Sequence, residues 1–376
     1  MEGSRFNPDE LAAQSIAGGG PRGGGAIREF MPEQHREFFA SLPYLFAGVI
    51  DSGGWPLATL FTGQAGFVQA PDANTLYIAV PPETGDPAAP GLTPGQDIGI
   101  LGIDFSTRRR NRANGRIVSH DAGGIRVAVS QSFGNCPQYI QLRTLAHPSM
   151  DRAKAPPKTV EAFDFLDSAA IALIEQADTF FVASRSRAGA GPSYGADISH
   201  RGGRPGFVRV DGNVLTIPDF RGNRYFNTLG NLMVEPRASL LFVDFETGDL
   251  LQLQGTAQVK WDGDAAEQIA GAERLWRFNV VRGWRRKSAS PLRWSFVEYS
   301  RTTVATGVWR STLGFSYRYR PMSLSSAARP GDSFSYAIPF SGTAAVRLRV
   351  WNSVVLDSSM WMSPVTYSFC LSLVSI

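Results

Sequence analysis

Short apolar runs, separated by turns rich in glycine, proline and aspartate, recur along most of the chain and predict strands more often than helices. A helix is predicted to begin near Pro32, because proline fits the first turn of a helix and an apolar face follows it. Three strands are then predicted, over residues 44–50, 56–62 and 76–80. This succession of one short helix and several short strands indicates a mainly β domain.

The same succession begins again near the middle of the chain. Asp167 or Ser168 can cap a second amphipathic helix, and a strand over residues 179–183 follows directly. Further landmarks recur about 140 positions later, namely Gly66-Phe67-Val68 as Gly206-Phe207-Val208, Asn74 to Ile78 as Asn213 to Ile217, and Ile103 to Thr107 as Val243 to Thr247. Matches in one order at nearly one offset predict a duplicated β-rich domain, the alternative being coincidence among common strand residues.

Each copy is predicted to hold a helix and then five or six short strands with tight turns, a pattern typical of a small barrel. The predicted fold is therefore mainly β, with short helices and two barrel domains in tandem. The glycine-rich start has too little apolar content to offset its ordering entropy, and the serine- and arginine-rich end shows no sustained periodicity. The predicted parts are a flexible lead-in (1–28), a first domain (29–147), a linker (148–158), a second domain (159–300) and a divergent, poorly packed tail (301–376).

Composition narrows the class of protein. The chain has 376 residues, is 43% hydrophobic and 19% charged, and carries a formal net charge of +4, which is too small by itself to indicate nucleic-acid binding. Its two cysteines, Cys136 and Cys370, exclude a disulfide framework and a multi-thiolate zinc site. No apolar run is long enough to cross a bilayer, and the first residues lack the apolar core of a secretory signal. We expect a cytoplasmic protein with no membrane or nucleic-acid partner.

Two neighbouring segments of the second half carry the most informative chemistry. In the first segment, a glycine-rich turn leads into an apolar strand; the turn comprises Ser199, His200, Arg201, Gly202 and Gly203. Glycines in such a turn allow backbone amides to approach a ligand closely. His200 either hydrogen-bonds a ligand here or is an ordinary polar loop residue. The four histidines have no metal-ligand spacing, so no metal site is predicted.

The second segment predicts an anion site at the start of a helix. A strand is predicted to end at Pro218, and a helix to begin near Asn223, which can cap it. The free amides of that helix start would attract an anion, and Arg221 and Arg224 add forked donors suited to phosphate oxygens. The alternative is a solvated helix cap whose arginines point into water.

Together the two segments resemble the pyridoxamine 5′-phosphate oxidase-like family of FMN-binding split β-barrels, and the stretch from Phe133 to Gln141 resembles its tandem members. The resemblance covers residues 32–300 and is strongest over 178–260. It implies two split barrels with FMN as the cofactor. It also implies that Asn223 and Arg224 hold the flavin phosphate, while the Ser199–Gly203 turn and Pro218-Asp219 lie beside the ring system.

The first copy departs from this pattern, because a proline-rich, acidic stretch from Pro81 to Pro87 replaces the cationic helix start. Members of the family usually dimerise with flavin at the interface, and a tandem chain could form that pair internally. The resemblance therefore implies one competent flavin site, in the second domain and roofed by the first. The chain would be an intrachain pseudo-dimer, with a homodimer as a further alternative.

Two clusters of basic residues leave alternatives open. Arginines at 108, 109, 110 and 112 would alternate sides on a strand, so one pair could reach a phosphate or acidic substrate across the interface. The alternative is a solvated strand edge. The Gly283–Lys287 segment, with tryptophans around it, is expected to be a lid or interface segment rather than a nucleic-acid site. Cys136 has no adjacent base, so a packing role is expected for it.

Three functions are compatible with the sequence. The first is an FMN-dependent oxidoreductase acting on a small-molecule substrate or electron donor, such as a nicotinamide nucleotide or a reductase partner. The second is a flavin carrier or sensor without turnover, and the third is a basic scaffold without a cofactor. No general acid or base is identified, which fits chemistry carried by a cofactor.

Overall fold

The structure, a computed structural model, describes residues 5–19, 24–80, 83, 85–146, 159–261 and 265–309. The predicted linker (148–158) and all but the first nine residues of the predicted tail lie outside these ranges. The helices are α1 (Pro8–Ile16), α2 (Glu33–Ser41), α3 (Ser168–Gln176), α4 (Asn227–Val234), α5 (Ala265–Gln268) and α6 (Arg301–Val304), with a 3₁₀ turn at Ala89–Gly91. None of these described helices is both long enough and apolar enough to span a bilayer.

Strands make up most of the regular structure, so the predicted mainly β class is confirmed. The strands of the first half are β1 (Tyr44–Ile50), β2 (Pro56–Thr62), β3 (Val68–Gln69), β4 (Thr75–Ile78), β5 (Asp97–Asp104), β6 (Arg109–Asp121), β7 (Gly124–Gly134) and β8 (Leu142–Ala146). Those of the second half are β9 (Val160–Phe163), β10 (Thr179–Arg185), β11 (Ala196–Gly202), β12 (Arg209–Asp211), β13 (Val214–Phe220), β14 (Arg237–Val243), β15 (Leu250–Lys260), β16 (Ala272–Arg286) and β17 (Arg293–Glu298).

Two antiparallel sheets repeat one strand order. The first runs β2-β1-β5-β6-β7-β4-β3, and the second runs β11-β10-β14-β15-β16-β13-β12, with β9 added beside β16. The second order equals the first with nine added to every strand number. A repeat of this kind is what a duplicated domain would produce, and the duplication itself stays a prediction. β8 and β17 pair with each other outside both sheets.

The two sheets pack against each other through a shared apolar cluster. Phe46 of β1 stacks on Phe181 of β10, with ring centroids 3.6 Å apart. At Gly99 of β5, a Cβ atom would lie 2.7 Å from the Cα atom of Asp197 on β11, so glycine is needed for this close approach. Each sheet also covers a core of its own. The central strands β1 and β5 therefore meet β10 and β11 directly, and this contact positions the cleft described below.

Within the predicted lead-in (1–28), the expectation of flexibility is wrong for residues 8–16. Residues 8–16 form α1, which Asn7 caps by accepting the backbone N–H groups of Asp9 and Glu10. Glu10 is buried and its side chain accepts a 2.5 Å hydrogen bond from Asn227 at the start of α4. The helix is thus held by tertiary contacts that its local composition does not reveal.

The beginning of the predicted tail is also packed. Residues 301–304 form α6, and Ser300 caps it by accepting from the Thr303 N–H. Trp309 donates its indole N–H to the Phe207 carbonyl at 2.8 Å. The expectation of poor packing is therefore wrong for residues 301–309, and it stays a prediction for the residues after them.

Candidate functional site

A cleft lies on the seam between the two sheets. The first half contributes β6 and residues 135–139 after β7, and the second half contributes β11, β13 and the segment leading into α4. The polar lining comprises Arg110, Arg112, Asn135, Gln138, Tyr139, Ser199, His200, Arg201, Asp219, Asn223, Arg224, Asn227, Thr228, Glu273 and Arg274. Among the described residues, this lining has five arginines against two carboxylates.

Eight of the ten predicted site residues line this cleft: Ser199, His200, Arg201, Gly202, Pro218, Asp219, Asn223 and Arg224. Gly203 and Arg221 do not line it. Arg221 is 73% exposed at its side chain and lies 3.9 Å from Glu273, so it faces solvent. The structure thus brings most of the predicted residues together in one cleft. The sequence did not show which residues of the first half and of β16 would complete it.

The Ser199–Gly203 segment is mainly strand, not the predicted turn. Residues 199–202 belong to β11, which pairs along β10, and the turn begins at Gly203. The hydroxyl of Ser199 accepts hydrogen bonds from Arg112 at 2.5 Å and from Thr228 at 2.9 Å. At Gly202, a Cβ atom would lie 2.0 Å from the Tyr139 carbonyl oxygen. Only glycine allows residue 139 to approach β11 this closely.

His200 is a buried and neutral imidazole in this cleft. Burial, together with the charge of Arg110, holds its pKa well below the usual range. Its Nδ1 atom lies 3.3 Å from the Arg110 Nη1 atom. Because arginine can only donate, Nδ1 accepts and the proton sits on Nε2. Nε2 is buried without a hydrogen-bond partner in the described structure, so this N–H is free for a ligand.

All but Arg108 of the arginine run lie on β6, an interior strand, so the solvated-edge alternative is wrong for the cleft-facing Arg110 and Arg112. β6 pairs with β5 on one side and β7 on the other. Arg112 forms a buried 2.7 Å ion pair with Asp197. Arg110 has no carboxylate partner within the described part of the chain, and burial with the nearby Arg112 charge lowers its pKa to about 10. Arg110 is therefore an uncompensated positive charge at the seam.

Asp219 organises the opposite wall. β13 continues through Pro218 to Phe220, which corrects the predicted strand end at Pro218. The Asp219 carboxylate is buried and accepts short hydrogen bonds from both Arg201 and Arg274. Its charge is therefore used to hold two arginines in place, and it is not a free general base.

The segment before α4 also differs from its prediction. α4 begins at Asn227, and its N-cap position is Phe226, which has φ +59 and no side-chain capping bond. Asn223 does not cap the helix; it donates instead to Asn135 of the first half at 3.0 Å. Arg224 lies in the cleft, 3.4 Å from Glu273. The uncapped amides at the start of α4 remain beside the cleft.

Six buried nitrogen atoms of this cleft have no hydrogen-bond partner in the described structure: Arg110 Nε, Arg112 Nε, Asn135 Nδ2, His200 Nε2, Arg201 Nε and Arg224 Nε. Buried donors without partners cost free energy unless a ligand or water completes them. All six are donors, once the histidine proton is placed on Nε2. The residues present therefore fit an anion with several acceptor oxygens, such as a phosphate group.

Glu273 and Arg274 were not predicted from the sequence. They belong to β16, which begins about fifty residues after the end of β13 and pairs with it, so only strand pairing places them in the cleft. The sequence assigns no role to Tyr139 beyond its place in the stretch from Phe133 to Gln141. Its ring stacks on Phe220 at 5.5 Å, which no local pattern would show.

No protein-family model matches this chain, and no curated protein matches it in sequence. Solved structures align with part of it. A HupZ variant of Group A Streptococcus is 15% identical with a TM-score of 0.25, covering 32% of this chain and 98% of its own. A putative pyridoxamine 5′-phosphate oxidase of Lactobacillus delbrueckii is 15% identical with a TM-score of 0.25, covering 32% and 94%. A FAD-binding protein of Mesorhizobium loti is 10% identical with a TM-score of 0.22, covering 34% and 97%.

Proposed function

We propose that the cleft binds FMN and that the protein is a flavin-dependent oxidoreductase. The observation that carries this proposal is the set of buried, partnerless donors around Arg110, which lacks a carboxylate to balance its charge. A phosphate monoester would supply the acceptor oxygens and the negative charge together. The resemblance of the 199–203 and 218–232 segments to FMN-binding split barrels supports a flavin as the phosphate carrier.

The proposed roles follow from where each side chain lies. Arg110, Asn223 and Arg224, with the α4 amides, would hold the phosphate. Tyr139 and Phe220 form an aromatic pair at the mouth of the cleft, and His200 offers a neutral N–H donor. When bound, the flavin would supply the electron transfer. The chain's own residues would orient it and limit the access of water.

We further propose one flavin per chain. By strand order, the contact of β2 with β14 and β15 repeats the contact of β11 with β5 and β6 at the cleft, and it is called the second seam. Leu101 pairs with Arg112 in the first sheet and Leu241 pairs with Gln252 in the second, so Gln252 occupies the position of Arg112 in the second seam. Thr59 on β2 likewise matches Ser199 on β11 by strand order. The second seam thus has a hydroxyl and an amide where the cleft has a hydroxyl and an arginine.

The second seam is closed by its own polar groups. Arg286 is buried and pairs with Glu83 at 2.5 Å and with Asp86 at 3.2 Å. Asp86 also accepts from Thr59 and from Gln252. None of the side chains in this cluster has an orphaned buried atom among those described. Because its one guanidinium faces two carboxylates, this seam offers no net attraction to a phosphate.

A flavin carrier or sensor is the second candidate function. It is favoured by one observation: the two carboxylates lining the cleft, Asp219 and Glu273, are both paired with arginines, and His200 is neutral. Neither carboxylate is thus free to act as a general acid or base. Bleaching of bound flavin by a reduced nicotinamide, followed by reoxidation in air, would favour the oxidoreductase; a flavin that neither bleaches nor reoxidises would favour the carrier.

The first test is the cofactor itself. Purified protein is expected to show a flavin absorption band, and mass spectrometry after denaturation should identify FMN at one molecule per chain. Arg224→Ala should weaken FMN retention, whereas Arg277→Ala, which removes an exposed arginine of β16, should not. Properly folded protein that stays colourless and refuses added FMN at micromolar concentration would refute the proposal, and two flavins per chain would refute the single site.

A further inference from the structure

The mouth of the cleft is spanned by contacts between the two halves of the chain. The entrance loop, defined as residues 135–139, follows β7 of the first half. Tyr139 of this loop stacks on Phe220 and donates its hydroxyl to the Arg221 carbonyl at 3.0 Å. Asn135, at the other end of the loop, accepts from the Asn223 side chain at 3.0 Å. Both ends of the entrance loop are thus fastened to residues 220–223.

The space behind these contacts is smaller than a cofactor needs. The cleft has a volume of about 110 Å³. Sites for cofactors and drug-sized ligands usually measure roughly 300–1,000 Å³. A ligand of cofactor size that uses the partnerless donors inside can therefore enter only if the mouth opens further.

The backbone around the mouth is held in unfavourable conformations. Tyr139, Arg224 and Phe226 have φ values of +62, +61 and +59, in the left-handed region that bulky residues avoid. Such conformations persist only where surrounding contacts impose them, and they cluster at binding sites and moving segments. Here the imposing contacts include a few hydrogen bonds and one ring stack, which are individually modest. Opening would relieve the backbone at the same time as it breaks these contacts.

We propose that Tyr139 is the gate residue of this cleft: its stacking on Phe220 and its hydrogen bond to Arg221 hold the mouth closed, and the ligand enters when they break. The ligand being FMN rests on the proposed function, but the gate does not. Tyr139 then determines how fast a ligand enters and leaves more than how tightly it is held. It is a positioning residue for access, and no chemical step is assigned to it.

Cys136 lies inside the entrance loop and gives a readout that needs no flavin. It is a half-buried free thiol, close enough to Arg110 and Tyr139 to influence the pKa of both. In a Cys370→Ser background it is the sole cysteine of the chain. Because the thiol is already partly exposed, it is the change in its rate of reaction with a disulfide reagent between variants, measured without flavin, that reports a change in loop opening.

Tyr139→Phe keeps the ring and removes only the hydroxyl bond, so the reaction of Cys136 should become roughly 3- to 10-fold faster. Tyr77→Phe, which removes the hydroxyl of a tyrosine on β4, is the matched control and should leave the rate unchanged. Equal thermal midpoints for the two variants would exclude general unfolding as the cause. An unchanged rate in Tyr139→Phe overturns the gate.

Stopped-flow mixing with FMN separates the two proposals. If both hold, Tyr139→Phe should raise the association and dissociation rates by similar factors, leaving Kd within about threefold of the wild type. A raised dissociation rate with an unchanged association rate would mean that Tyr139 is only a flavin contact, and it would overturn the gate. If FMN does not bind while the thiol rate still rises, the proposed function fails and the gate stands.

Discussion

Arg110→Met is the substitution that most directly tests the charge balance of the cleft. Methionine has a similar length and an apolar side chain, so it keeps most of the packing and removes the guanidinium. In the described structure Arg110 has no carboxylate partner, and its Nε atom has no hydrogen-bond partner. We therefore expect two opposite effects: a more stable unliganded protein and a weaker complex with FMN.

The size of each effect follows from the structure. The pKa of Arg110 is lowered from 12.5 to about 10, which corresponds to a cost of about 3 kcal/mol for keeping the charge in the folded protein. The cost is present at every pH below about 10, because the group is then charged in both states. Losing the contact with His200 should cost about 1 kcal/mol, so a net gain of about 1–2 kcal/mol is expected. Charge-assisted hydrogen bonds to the phosphate are worth about 1.5–3 kcal/mol, or a roughly 10- to 150-fold loss of FMN affinity.

Titration with FMN and with riboflavin, which lacks the phosphate, separates these effects. The wild-type protein should prefer FMN, and Arg110→Met should lose that preference while its riboflavin affinity changes little. Denaturant unfolding of the unliganded proteins gives the stability change, and Arg277→Met is the control for removing an exposed arginine. Equal losses for both ligands, or a destabilised unliganded variant, would refute the assignment of Arg110 to the phosphate.

Three further predictions test other parts of the cleft and the first core. Arg112→Met leaves the buried Asp197 carboxylate without its partner, so the free energy of unfolding should fall by about 3–5 kcal/mol in a denaturant titration; a loss below about 1 kcal/mol would contradict the buried pair. Gly202→Ala places a Cβ atom 2.0 Å from a carbonyl oxygen of the entrance loop and should cost about 1–3 kcal/mol, whereas Gly222→Ala, with open space around it, should be nearly neutral; equal stabilities would argue against the close approach. Burial lowers the pKa of His35 to about 4, so as the pH falls the unfolded chain binds a proton near pH 6.5 and the folded protein binds it only near pH 4. The free energy of unfolding should therefore fall by about 3 kcal/mol between pH 6.5 and pH 4. His35→Gln should remove this part of the pH dependence, and identical pH profiles for the variant and the wild type would contradict the prediction.

Much of the strand framework was predictable because the strands that cross the core are continuous apolar runs. β1 and β2 have the predicted bounds, and Asp167 caps α3 as one of the two candidates predicted. The helix α1 was missed for a physical reason. Its glycine-rich surroundings indicate disorder, and its stability comes from contacts such as that of Glu10 with Asn227, which are more than two hundred residues apart in the chain.

The candidate site was predictable as a region and not as a geometry. Glycines and arginines at 199–224 indicated a phosphate site, but the preference of asparagine for N-caps placed the cap at Asn223, three residues too early. The actual cap, Phe226, adopts a left-handed conformation that no propensity favours for phenylalanine. Whether the arginine run faced solvent or the seam depended on β6 being interior, which is a property of the sheet and not of the run.

Arg286 and Arg110 differ in whether a carboxylate balances their charge, and the difference indicates where the unliganded protein is less stable than it could be. Arg286 in the second seam is matched by Glu83 and Asp86, so its burial is offset within the protein itself. Arg110 in the cleft has no such partner in the described structure. An unmatched, partly buried charge lowers stability, and selection for stability alone would remove it. The charge is explained if a ligand's negative charge completes the cleft, because the bound ligand then neutralises Arg110 and stabilises the folded protein.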